Sequence, residues 1–229
     1  WGPLFAEALG EPLRWEGSFT HFHSADSRDR EPTLTQWARL KEALERLPEM
    51  PADALLHACN SSGALRIPEL GARAVRPGIF LYGGVAGEDL PPPEPVAARR
   101  ARVTFIREAE VGATLGYGAT YTARTPQRWA TVGIGYGDGL PRLLSNRGRA
   151  LIHGQPAPII GRISMDVTVL DVTGLEGVEV GDVATFFGRD GKEEIPLEEV
   201  ADLAETLNYE ILTDLTPRAR RIWTTHGGY

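Results

Sequence analysis

The stretch GVAGEDLPPPEP, residues 84–95, constrains the fold of this 229-residue chain more than any other. Four prolines cannot donate to a helix or sheet ladder, and the glycines and acids among them offer nothing to bury. No element interior runs through such a segment. The chain is therefore expected to divide there, into residues 1–90 and 91–229.

The two sides carry different periodicities. Before the break, strand-like and helix-like runs alternate: GSFTHFHSA (17–25), a helix over 33–47, ALLHACN (54–60), a Ser/Gly-rich turn and helix, and a strand over VRPGIFLYG (75–83). Trp37, Leu40, Leu44 and Leu47 recur at helical spacing, and Thr33 with Gln36 after Pro32 has the form of a capping box. A βαβαβ rhythm builds parallel sheets or barrels, whose ligands gather at the carboxyl ends of the strands. His21, Asn60, Ser61 and Gly78 lie at or near those ends. After the break come short alternating runs: ARVTFIR, ATVGIGYG, RALIHGQPAPIIG, MDVTVLDV and VATFFGRDGKEEI, the last holding an Asp190-Gly191 turn. One helix, over 197–207, interrupts this β region with a stripe of Leu197, Val200, Ala201, Ala204 and Leu207. The fold class is α/β followed by a mainly-β domain.

Bulk chemistry excludes several functions. A net charge of -7 argues against a large nucleic-acid footprint, which would need a basic face. No apolar run approaches the roughly 18 residues of a membrane span, and WGPLFAEALG lacks the regions of a signal peptide, so a cytoplasmic protein is expected. The single cysteine, Cys59, sits in an apolar run and can close no internal disulfide. No metal site is read. Of 24 basic residues only Lys41 and Lys192 are lysines, which leaves two candidates for any lysine-dependent chemistry. The chain lacks an initial methionine and opens in a helix-like run over 3–9 with no strand before it, so a fragment is expected.

Seven segments in order resemble the alanine racemase family: THF from Thr20, HACNSSGALRIP from His57, VRPGI from Val75, GYGATYTA from Gly116, IGYGDG from Ile134, GRISMD from Gly161 and NYEILTDLTPRARRIW from Asn208. The resemblance implies the C-terminal portion of a (β/α)8 barrel followed by a mainly-β domain. It implies an enzyme dependent on pyridoxal 5'-phosphate (PLP) that interconverts L- and D-alanine, supplying D-alanine for peptidoglycan. Two bases act on opposite faces of the substrate. Tyr117 matches the tyrosine base of the L-face, and the other is the lysine that holds the cofactor. An ordinary tyrosine, with a pKa of about 10, needs cationic neighbours to act near neutral pH.

The same resemblance assigns the remaining site residues. Arg76 matches the arginine at the pyridine nitrogen, where a group that keeps its proton restrains the ring as an electron sink. His57 helps orient it, and His21 lies against the ring. Ser61, Gly78, Ile79 and Tyr209 match the phosphate site; Ser61 also reads as an ordinary N-cap. Met165 matches the residue whose backbone N–H meets the substrate carboxylate. Tyr136, Arg162 and Asp166 match the entrance, and Arg221 the residue that restrains Tyr209. Tyr117 and the SMD loop serve the site of the partner subunit, so a homodimer is expected. His23 stands where a small residue is expected.

The family's cofactor lysine has no counterpart here. Lys41 falls off the apolar stripe of its helix and Lys192 in a hairpin turn, both solvated, whereas an imine-forming lysine is desolvated. The chain alone is expected to be inactive. A broader amino-acid racemase of the same fold, a barrel decarboxylase, which Arg76 disfavours, and a non-catalytic assembly module are the other readings.

Overall fold

The computed structural model describes residues 2–9, 13–71 and 73–224. They form two compact units, the first of residues up to 81 with 85–93, the second of 82–84 with 94 onward.

The first unit begins with α1 (Gly2–Ala8), then β1 (Gly17–Phe19), α2 (Glu31–Glu45), β2 (Leu55–His57) and α3 (Ser61–Arg66). The strands β1 and β2 pair in parallel, Phe19 opposite His57. Trp37, Leu40 and Leu44 of the expected stripe lie half-buried along α2, while Leu47 falls past the helix end at Glu45. The helix start also departs from expectation. The helix begins at Glu31 with Pro32 in its first turn, a position that suits proline because that N–H has no helical partner. Thr33 is thereby carried inside the helix and buried, its hydroxyl without a partner, so the expected capping box does not form. Gln36 turns away instead. Its Nε2 donates to Thr20 Oγ1 at 3.1 Å and to the His21 carbonyl at 2.6 Å.

The expected strand over 75–83 is also absent. Arg76 N–H donates to the Cys59 carbonyl at 2.8 Å, so the segment starts along the end of β2, but Pro77 has no N–H to continue a ladder. Residues Ile79–Tyr82 coil into a 3-10 turn. Phe22, Ala25, Ala58, Cys59, Ile67 and Leu70 make this unit's core.

The second unit is a closed barrel. Its strands are β3 (Arg99–Ala109), β4 (Thr114–Leu115), β5 (Tyr121–Thr122), β6 (Gln127–Val132), β7 (Arg149–Ile152), β8 (Gln155–Ile160), β9 (Thr168–Asp171), β10 (Val183–Asp190) and β11 (Glu193–Ile195). Pairing runs β11-β10-β3-β6-β9-β8-β7, and β7 pairs again with β10. That last pairing closes six antiparallel strands into a ring, with Ala184 opposite Ile152 and Thr185 opposite Leu151. Alternate residues such as Val103, Ala130, Val132, Leu151, Leu170 and Ala184 fill it. The β10–β11 turn is the predicted Asp190-Gly191, with Gly191 at φ 64°.

The helix expected over 197–207 ends early, as α4 (Leu197–Leu203), and α5 (Asn208–Thr213) follows. Glu205 takes a left-handed φ of 56°, while Thr206 N–H reaches back to the Ala201 carbonyl at 3.0 Å. This termination normally recruits glycine, and no glycine marks it here. Among the described residues, no helix is long and apolar enough to cross a membrane.

Candidate active site

In the first unit, the end of the parallel ladder gathers a cationic cluster. Arg76 Nη1 lies 2.5 Å from His57 Nδ1, and Nη2 donates to the Thr20 carbonyl at 3.0 Å and lies 3.4 Å from His21 Nδ1. The guanidinium sits 5.4 Å from the centroid of the Phe19 ring, which stacks on His57 at 5.4 Å and 7°. Because arginine only donates, the His57 Nδ1 facing it acts as acceptor and its ring proton belongs on Nε2. The cluster fixes a permanently charged donor group at the strand ends. Gln36, read from the sequence only as half of a capping box, secures its floor by holding the His21 backbone.

Beside it, Ser61 Oγ accepts the N–H of Gly78 at 2.8 Å and of Phe80 at 3.5 Å. Ser61 and Ile79 are buried, and a Cβ added at Gly78 would meet nothing within 4 Å. Two main-chain amides thus anchor the Ser61 hydroxyl, which keeps its own proton to donate, beside the unhindered Gly78, elements that suit a phosphate. Capping of α3 falls to Asn60, whose side chain accepts from Gly63 N–H at 2.9 Å; Ser61 is left free of that duty. His21 is exposed, and the neighbouring His23 ring closes on Ser24 Oγ at 2.6 Å.

Cys59 lies in this unit's core, its burial pushing the thiol above its ordinary pKa against the attraction of the Arg76 charge, with Glu69 adding to the rise. It is no nucleophile in this state. Lys41 on α2 and Lys192 in the β10–β11 turn are both exposed. Among the described residues, no cluster of three or more His, Cys, Asp or Glu could hold a metal.

The second unit presents two neighbouring loops. Tyr117 stands 73% exposed at the tip of the β4–β5 turn, between Gly116 at φ 77° and Gly118 at φ 74°. A Cβ on Gly116 would come within 2.9 Å of the Arg162 backbone nitrogen, so the turn lies directly on the GRISMD loop. In that loop Ser164 Oγ accepts Val167 N–H at 3.1 Å, leaving Met165 exposed at its tip. Tyr136 and Gly137 dock on it, donating their N–H groups to the Ser164 and Met165 carbonyls at 3.0 and 2.9 Å.

Arg218 ties these pieces together. It bridges Asp138 at 3.3 Å and hydrogen-bonds Asp166, contacts that raise its pKa, the Asp166 hydrogen bond most. Asp138 in turn accepts Gly135 N–H at 2.9 Å. Sequence reasoning chose Arg221, whose Nη2 donates to the Leu215 carbonyl at 3.3 Å, and passed over Arg218 in the same RARR run. Tyr209 lies half-exposed on α5 and Arg162 is exposed.

The order and character of these segments match known proteins across almost the whole chain. Residues 96–223 match the family described as alanine racemase, C-terminal domain, and residues 3–86 match its N-terminal domain. The chain belongs to the alanine racemase family.

An alanine racemase of Halothermothrix orenii is 38% identical over 213 residues, which cover 91% of this chain and 56% of that protein. The crystal structure of alanine racemase from E. faecalis superposes with a TM-score of 0.83 at 34% identity, covering 90% of this chain and 55% of that one. An alanine racemase structure from Bartonella henselae with covalently bound pyridoxal phosphate gives a TM-score of 0.82 at 33% identity, over 91% and 56% of the two chains. The chain spans about half the length of the alanine racemases it matches.

Proposed function

We propose that this chain is the C-terminal portion of a PLP-dependent alanine racemase, and that its first unit is part of a (β/α)8 barrel. The observation that carries the reading is the pairing of the Arg76–His57 cluster with the Ser61–Gly78 group. One offers a permanent cation at a strand end and the other a hydroxyl anchored by main-chain amides beside an unhindered glycine, features that suit a cofactor with a ring nitrogen and a phosphate.

When bound, PLP supplies an electron sink that acidifies the Cα proton of an amino acid. Ser61, Gly78 and Ile79 would hold the phosphate, joined by Tyr209, while His21 would lie against the ring and Arg76 would face its nitrogen. A guanidinium only donates, and Arg76 is held by His57 and the Thr20 carbonyl, so it would offer the ring nitrogen a hydrogen bond without giving up a proton. That restraint favours return of the proton to carbon, the outcome a racemase needs.

Tyr117 would take and return the proton on the L-face. Met165 would offer its N–H to the substrate carboxylate, with Tyr136, Arg162 and Asp166 around the entrance and Arg221 in support. The exposure of Tyr117 and Met165 at loop tips supports their service to a second copy of the protein, in a homodimer that shares its sites. The lysine that acts on the other face and carries the cofactor would lie outside this chain, since Lys41 and Lys192 both stand in solvent.

The test follows α-proton exchange of L- and D-alanine in deuterated water. The complete, cofactor-loaded protein is expected to exchange and racemise both, and serine and other small amino acids more slowly. Decarboxylation, or exchange without inversion, would overturn the reading.

A further inference from the structure

We propose that Asn146 is a positioning residue that holds the Tyr117 turn and the 161–167 loop as one body. Its side-chain oxygen accepts Gly161 N–H at 2.6 Å, while its Nδ2 donates to Thr120 Oγ1 at 3.2 Å. Gly161 precedes Arg162 and opens the loop that carries Met165 at its tip; Thr120 stands three residues after Tyr117. One short amide thus spans the two loops that the resemblance assigns to catalysis. The preceding Ser145 adds a parallel bond, its Oγ accepting Ile163 N–H at 3.0 Å.

The backbone selects the residue as well. Asn146 has a φ of 59°, a left-handed conformation that asparagine tolerates far better than most residues. Behind it lies an open cavity of about 330 Å³ lined by Thr120, Tyr121, Asn146 and Ile159. On that side no apolar neighbour among the described residues backs the turn, so the two bonds of Asn146 add to the packing of Leu115 and Tyr121 in setting its angle. The turn itself is closed by Ala119 N–H on the Gly116 carbonyl at 3.0 Å, so holding Thr120 holds the backbone that carries Tyr117. Tyr117 and the Met165 amide then keep one spacing, and a substrate held by its carboxylate meets the base at a constant reach.

Three variants test this in the protein by NMR backbone order parameters. Asn146→Gly keeps the left-handed backbone and removes both bonds, Asn146→Asp keeps two acceptors that Gly161 N–H and the Thr120 hydroxyl can reach, and Thr120→Val cuts only the arm to the tyrosine turn. Asn146→Gly is expected to lower the order parameters of Gly118, Ala119 and Arg162 from about 0.85 to below about 0.6, with Ala130 and Leu170 in the barrel unchanged. Asn146→Asp is expected to restore all three, and Thr120→Val to loosen Gly118 and Ala119 alone. Rigid loops in Asn146→Gly, or an Asn146→Asp as loose as the glycine variant, would overturn the proposal.

The catalytic arm rests on the reading of Tyr117 as the L-face base. In the complete loaded enzyme, Thr120→Val should slow α-proton exchange from L-alanine about tenfold more than from D-alanine. Equal slowing would refute the link to the base. A parent enzyme without racemisation would refute the proposed function, while the order parameters would still decide whether Asn146 is the clamp.

Discussion

Gly116 and Gly118 flank the same tyrosine with nearly the same backbone angle, φ 77° and 74°, yet their surroundings differ. A methyl group on Gly118 would have Thr120 Cγ2 as its nearest neighbour, at an easy 3.8 Å. On Gly116 it would press to 2.9 Å of the Arg162 backbone nitrogen, where no flexible side chain can give way. Gly118→Ala should therefore lose only the cost of a left-handed alanine, about 1–2 kcal/mol. Gly116→Ala adds an overpacking cost of about 1–3 kcal/mol, for a total of roughly 2–5 kcal/mol.

Native-state amide exchange at Ala130 and Leu170, paired in the barrel between β6 and β9, reads these losses from the global opening of the second unit alone. At about 1.4 kcal/mol per factor of ten, Gly118→Ala should speed exchange roughly 5- to 30-fold and Gly116→Ala by roughly 5- to 140-fold more. Equal acceleration by the two variants would refute the close seating of the tyrosine turn on the GRISMD loop. So would a larger effect at Gly118.

The 229-residue chain, incubated with PLP and borohydride, should gain no cofactor mass on Lys41 or Lys192 and should not racemise alanine; labelling of either lysine, read by peptide mass spectrometry, would place the cofactor lysine within this chain. Replacing His57 by leucine in the complete protein removes a hydrogen bond to a charged group, about 1.5–3 kcal/mol, partly offset by the Thr20 carbonyl that Arg76 keeps. PLP affinity, titrated by absorbance on cofactor-stripped protein, should fall about tenfold, and no change would refute the orienting role. Cys59 should resist iodoacetamide at pH 8 until the fold opens. Since burial raises its pKa, its contribution favours the fold below the ordinary thiol value of about 8.5 and is lost as pH rises through the higher folded value. A Cys59→Ser variant should show a flatter loss of stability in alkaline solution.

What the sequence made legible was local or motif-borne. The α2 stripe follows from spacing alone, and the Asp190-Gly191 turn from the two residues that favour it. The contact of Arg76 with His57, nineteen positions apart, was anticipated only through the family motif. The failures have identifiable causes. Pro32 drew the helix start two residues forward of the Thr33 cap, and Pro77 ended a ladder that the apolar run 79–82 suggested would continue. Glu205 closed α4 in a conformation whose usual marker, glycine, was absent.

Arg218 and Asn146 escaped notice because their partners are assembled by the barrel. Asp138 and Asp166 come to Arg218 from two loops, and Thr120 and Gly161 meet Asn146 across two turns. Periodicity carries no signal for such residues. A buried arginine teaches the same lesson: Arg99, on β3, has Nε and Nη2 without partners, and burial lowers its pKa against the pull of Asp138 and Asp214.

The ring of strands has a consequence for how the chain is made. Its first strand, β3, pairs on one side with β6 and on the other with β10, where Arg102 lies opposite Val183. During synthesis the Arg100 and Arg102 edge of β3 leaves the ribosome long before the residues that will cover it. The barrel therefore cannot close cotranslationally from its leading end; it waits for β10, which also seals β7. The short apolar seam of Ile152 and Ala184 is the last stitch, and a ribosome paused between β9 and β10 should display a protease-sensitive, unclosed sheet.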